Sequence, residues 1–105
     1  MAEFTIKQGN RNPSISAYLD EAAGDLTSCT VNFHMRSQTT GVLVVDAAAV
    51  LVDVSTREVR YDWAVDDTAD IGHYDAEWEV TYPSGNVSTF PSYSYHDIAV
   101  VEALA

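Results

Sequence analysis

Apolar and polar residues alternate with a period of two along most of this chain, the spacing of strands that bury one face. The clearest run is His73–Tyr82. Tyr74, Ala76, Trp78, Val80 and Tyr82 share one face, and His73, Asp75, Glu77, Glu79 and Thr81 share the other. Thr30–Arg36 repeats the pattern: Val31, Phe33 and Met35 are in phase with Cys29, opposite Thr30, Asn32, His34 and Arg36. Val59, Tyr61 and Trp63 alternate with Glu58, Arg60 and Asp62, and Val50, Val52 and Val54 alternate with Leu51, Asp53 and Ser55. Shorter runs at Phe4–Lys7, Ile15–Leu19, Val42–Val45, Val87–Phe90 and Ile98–Val101 read as further strands.

The intervening residues are turn formers. Ser55–Arg57 is short and polar and predicts a hairpin, and Pro83-Ser84-Gly85-Asn86 predicts a turn. Asn10–Pro13 and Glu21–Asp25 read as connecting loops, and Asp66–Asp70 as one helical or 3-10 turn with Asp66 as its cap. Seven to nine short strands with turns about every ten residues predict an all-β fold, an antiparallel β-sandwich over residues 1–105. The segment Asp66–Tyr74, with Asp and Gly leading to an inward Tyr, resembles the tyrosine corner of immunoglobulin-like sandwiches, in which the Tyr hydroxyl bonds back to an upstream backbone group. Tyr74 is then structural, and Phe33, Trp63 and Trp78 are core residues between the sheets.

Composition narrows the class. The chain has 105 residues, 47% of them hydrophobic, enough for one domain with its own core. Its longest apolar runs, Val42–Val45 and Ala47–Val52, are broken by Asp46 and are too short to span a bilayer. Met1–Thr5 shows no basic start, apolar stretch or cleavage site, so a cytoplasmic protein, or one assembled into a particle there, is expected. Cys29 is the sole cysteine and has no internal disulfide partner.

Charge is the most unusual quantity. Sixteen Asp and Glu against five Lys and Arg give a formal net charge of −11. Phosphate binding needs a basic patch, so nucleic acid is not an expected partner. Acidic, lysine-poor composition is similar to that of proteins from salt-loving archaea, where molar salt shortens the Debye length to about 3 Å and suppresses self-repulsion.

Candidate chemistry is sparse. His34, His73 and His96 accompany many serines, yet no nucleophile motif is present, and His34 and His73 lie on outward phases. Cys29 shares its phase with Val31 and Phe33 and reads as a small core residue. The acidic segment Asp62, Asp66, Asp67 and Asp70 offers oxygen ligands but lacks the spacing of a calcium loop. No metal or cofactor is expected. Asp75, Glu77 and Glu79 line one strand face, either as a hydrated face or as a contact for a basic neighbour. Tyr93 and Tyr95, after Phe90-Pro91, are candidate interface anchors or ordinary loop packing.

Taken in order, three segments resemble the N-terminal domain of the phage baseplate upper protein family. They are Phe4–Gly9 followed by Ile15–Leu19, then Leu26–Arg36, then Gly72–Tyr82 with Gly85 and Thr89-Phe90-Pro91. The resemblance extends from Phe4 to Val101. It implies an immunoglobulin-like sandwich that is not an enzyme. It implies a structural module of a tailed virus, in the baseplate, tail or neck, present in several copies in the virion and held by contacts with other virion proteins. A capsid-decorating subunit, or a host-surface- or carbohydrate-binding immunoglobulin-like module, is the alternative.

Overall fold

A computed structural model describes residues 2–92 and 94–104. They fold into nine strands: β1 (Phe4–Lys7), β2 (Ile15–Tyr18), β3 (Thr30–Ser37), β4 (Leu43–Ala48), β5 (Val50–Asp53), β6 (Glu58–Tyr61), β7 (Gly72–Thr81), β8 (Val87–Phe90) and β9 (His96–Val101). One sheet has the order β1-β9-β7-β3-β4, with β8 also paired to β7, and the other has the order β2-β6-β5. The architecture is an immunoglobulin-like β-sandwich, as the alternation predicts.

The period-two reading holds best on the two central strands. On β7, Tyr74, Ala76, Trp78 and Val80 are buried while the intervening side chains face outward. On β3, Val31, Phe33 and Met35 are buried, and β3 pairs antiparallel with β7 from Thr30↔Thr81 to Ser37↔Tyr74. Phe33 is the centre of the core. Its ring stacks on Tyr61 at 4.7 Å, lies 4.8 Å from Trp78, and meets Trp63 edge-on at 5.9 Å. Such aromatic pairs add about 0.5–1.5 kcal/mol each beyond the area they bury. The polar tips are used as well: the Trp63 indole donates to the Pro13 carbonyl at 3.1 Å, and the Tyr82 hydroxyl to the Ala23 carbonyl at 2.7 Å.

The tyrosine corner is present. The Tyr74 hydroxyl donates to the Asp70 carbonyl at 2.6 Å. The loop before it differs from the predicted helical turn. Asp66 sits at φ 72°, in the left-handed region, which interrupts helical propagation. The capping carboxylate is that of Asp67, which accepts from the Ala64 amide at 2.8 Å and from the Tyr61 hydroxyl. The 3-10 turn lies at Glu21–Ala23, in a segment that reads as loop, where Asp20 accepts from the Ala22 amide.

Two features depart from a purely antiparallel, valine-in pattern. β1 runs parallel to β9, from Phe4↔Ile98 to Lys7↔Val101. The chain also changes sheet at Ala49, so that β4 and β5 form edges of opposite sheets. Along these edges Val42, Val44, Val50, Val52 and Val54 face solvent, between 41% and 59% exposed, whereas Val45 is buried and Leu51 packs against the core.

Candidate functional site

The outer face of the six-stranded sheet collects most of the chemistry-bearing side chains. Strand register builds it row by row. His34 on β3 stands opposite Asp46 on β4 and Glu77 on β7. Its Nδ1 lies 3.2 Å from Glu77 Oε2, and its Nε2 lies 3.3 Å from Asp46 Oδ1. One row along, Arg36 stands opposite Asp75 and directs Nε and a terminal nitrogen to Asp75 Oδ2, each at 3.2 Å. The guanidinium carbon also lies 4.7 Å from the centroid of the Tyr95 ring, a cation–π arrangement.

Asp75 and Asp97 face each other directly across β7 and β9. Like charges in that position repel. The Gln38 side-chain amide donates to both, at 3.1 Å to Asp75 and 3.2 Å to Asp97. His73 approaches Asp97 at 3.7 Å from the other side.

Among the described residues, the predicted interface residues Asp75, Glu77, Glu79 and Tyr95 fall in one region. Asp75 and Glu77 are half-buried and engaged by Arg36, Gln38 and His34 within the sheet, and Glu79 is half-buried opposite Asn32 and Thr89. Tyr95 is 43% exposed beside them. Tyr93 lies outside the described residues. The predicted core residues Phe33, Trp63, Tyr74 and Trp78 are all buried.

The remaining candidates sit apart, each with its own partners. His96 is half-buried rather than free: the Trp78 indole donates to its Nε2 at 3.0 Å, and its Nδ1 meets Glu3 Oε2 at 2.9 Å. Cys29 lies at the margin of the core rather than inside it, because it precedes β3 and its Sγ turns toward the Asp25 and Thr27 carbonyls. Burial first, and Asp25 second, push its thiol above its ordinary pKa. In the acidic segment Asp62 binds Ser14 and Arg60, and Asp67 binds Tyr61 and the Ala64 amide. Among the described residues no three His, Cys, Asp or Glu side chains converge as metal ligands would.

Sequence reading found the acidic row on β7 but missed its partners. His34 and Arg36 occupy the outward phase of β3, and the signal that joins them to Glu77 and Asp75 is the β3–β7 register. Ser92 and Ser94, which border the same face beside Tyr95, carried no signal, and Thr89 carried only that of its strand and of the resemblance.

No family model matches the chain, and no curated protein matches it. Among solved structures it is similar to CopC from Methylosinus trichosporium OB3b, at 15% identity and a TM-score of 0.55, covering 100% of this chain and 89% of that one. At that identity the likeness speaks to the fold alone, a β-sandwich in both.

Proposed function

We propose that this chain is a non-enzymatic structural subunit of a tailed virus particle, working through contacts with neighbouring subunits that include copies of itself. The observation that carries the assembly part is the valine margin. Five valines, Val42, Val44, Val50, Val52 and Val54, are exposed on or beside two consecutive edge strands. Edge strands present unpaired amides and carbonyls that accept another strand, and soluble proteins ordinarily protect them with charge. Here the protection is thin: Asp46 and Asp53 are the only charges between Val42 and Val54. Apolar side chains on a strand edge suit strand addition by a partner, with backbone hydrogen bonds supplying affinity and the valines complementarity. The assignment to a baseplate, tail or neck is supported by the ordered sequence resemblance, and a capsid-decorating subunit would use the same margin.

Mass spectrometry of purified particles of the virus that encodes the chain tests the location. Peptides of this chain in stoichiometric amount support the reading, and their absence ends it. Val44→Glu with Val52→Glu tests the margin: the folded variant is expected to drop out of the particle. Incorporation equal to wild type rejects that surface.

A further inference from the structure

The outer face of the six-stranded sheet holds two recesses that share a wall. One, of about 160 Å3, is bordered by Arg36, Leu43, Asp75, Glu77 and Tyr95. The other, of about 340 Å3, is bordered by Glu77, Thr89, Ser92, Ser94 and Tyr95. Glu77 and Tyr95 form the wall common to both recesses, which together make a divided groove on this face. Small-molecule sites occupy about 300–1,000 Å3 and combine apolar surface with a few placed polar groups.

We propose that this groove binds a neutral pyranose unit of a glycan. A sugar ring offers an apolar C–H face and a rim of hydroxyls, each both donor and acceptor. The groove offers the counterpart of each. Tyr95 is 43% exposed and Leu43 is 52% exposed, giving apolar surface at its walls. The tyrosine is held in place: Arg36 lies over its ring, and Asp75 fixes Arg36 through two hydrogen bonds. A preorganised aromatic surface loses little freedom when a ligand stacks on it.

The polar complement is uncommitted. Among the described residues, the hydroxyls of Thr89, Ser92 and Ser94 make no hydrogen bond to another residue. Nor does Glu77 Oε1, because His34 engages the other carboxylate oxygen. The Thr89, Ser92 and Ser94 hydroxyls and a carboxylate oxygen beside one aromatic match the mixed donors and acceptors of a sugar rim.

Charge selects the class of sugar. The face around the groove carries Asp46, Asp75, Glu77 and Asp97 against Arg36, which is already paired with Asp75. In a chain of net charge −11, uronic and sialic acids are repelled, while hexose and N-acetylhexosamine units are not. Leu43 on β4 adjoins the valine margin, whereas Tyr95, Thr89, Ser92 and Ser94 lie off it, so Tyr95→Ala tests the groove separately from the Val44→Glu and Val52→Glu pair.

The test is a 15N NMR titration of the whole chain with cellotriose, maltotriose, tri-N-acetylchitotriose and trigalacturonic acid. At least one neutral trisaccharide is expected to produce saturable shifts centred on Tyr95, Glu77, Thr89, Ser92 and Ser94, and trigalacturonic acid none. Tyr95→Ala is expected to weaken binding by about tenfold or more, Tyr95→Phe to retain it, and Tyr18→Ala, an exposed tyrosine on the other sheet, to leave it unchanged. Signal dispersion in each variant's spectrum confirms folding. No saturable shift with any neutral trisaccharide, binding that survives Tyr95→Ala, or equal binding of trigalacturonic acid would overturn the proposal.

Discussion

The Tyr74 hydroxyl reaches back four residues to the Asp70 carbonyl, at 2.6 Å, and pins the loop that follows Trp63 to the start of the longest strand. The ring is buried, so only its hydroxyl differs between tyrosine and phenylalanine at this position. Tyr74→Phe is expected to lower unfolding free energy by about 0.5–1.5 kcal/mol, the net worth of one hydrogen bond. Urea denaturation measures it. The m-value should stay constant, because the same surface is exposed on unfolding.

Both corner-region phenols titrate late. Burial, then the hydrogen bond to and charge of Asp67, push the Tyr61 phenol well above its ordinary value of 10.0, and burial followed by Asp70 raises Tyr74. Their neutral forms are therefore favoured in the folded state. The stability this confers is whole below pH 10 and is lost as pH rises through the folded values, since the unfolded chain ionises first. Stability is expected to decline with pH above about 10. Tyr61→Phe should make that decline shallower while lowering stability at pH 7. Urea midpoints measured from pH 8 to pH 11 check both, and an unchanged slope would refute the linkage.

The Trp78–His96 contact fixes a tautomer. An indole N–H only donates, so His96 Nε2 is the acceptor, and the ring proton resides on Nδ1, which donates to Glu3 Oε2 at 2.9 Å. The chain of bonds ties β7 and β9 to the residue just before β1. Nitrogen chemical shifts of the imidazole at neutral pH are expected to show the Nδ1–H form. Replacing His96 by Leu leaves the buried indole without a partner and is expected to cost about 1–3 kcal/mol in chemical denaturation.

Cys29 is placed to be unreactive. Burial and the nearby Asp25 carboxylate both disfavour its thiolate, the form that attacks electrophiles. Alkylation by iodoacetamide at pH 8 should run slower than that of glutathione, and Cys29→Ser should change stability by less than about 1 kcal/mol. Alkylation faster than glutathione would contradict this placement.

The strands were legible because β3 and β7 each bury one face, so their two-residue alternation maps directly onto inside and outside. The tyrosine corner was legible because its partner is only four residues away. Periodicity failed at β5, where both faces are partly apolar: the valine row and Leu51 are equally admissible inside, and the bulge between Leu51 and Asp53 alters the phase. It also cannot reveal which strands are neighbours. The parallel β1–β9 pair joins opposite ends of the chain, and the row Asp46–His34–Glu77 draws on three strands. The groove depends on such register, together with a loop whose hydroxyl residues have no periodic signature.

Salt dependence follows from the distribution of the acids. Much of the −11 net charge is carried on the surface, and some of it is locally crowded: Asp75 opposes Asp97 across two strands with a neutral amide between them, and Asp46 and Glu77 flank His34. Screening acts on the long-range repulsion more strongly than on short, partly buried pairs such as Arg36–Asp75, because the Debye length falls from about 10 Å at 0.1 M to about 3 Å at 1 M. The net effect of added KCl is therefore stabilising. Thermal melts at pH 7 are expected to shift upward between 0.1 and 1 M KCl, with most of the gain at the low end where the Debye length changes fastest. Chloride is the proper anion for the test, since sulfate strengthens apolar burial in any protein. A melting temperature that is flat across the KCl series would mean that the internal pairing on the β3–β7–β9 face already neutralises the repulsion, and the acidic surface would then serve solubility alone.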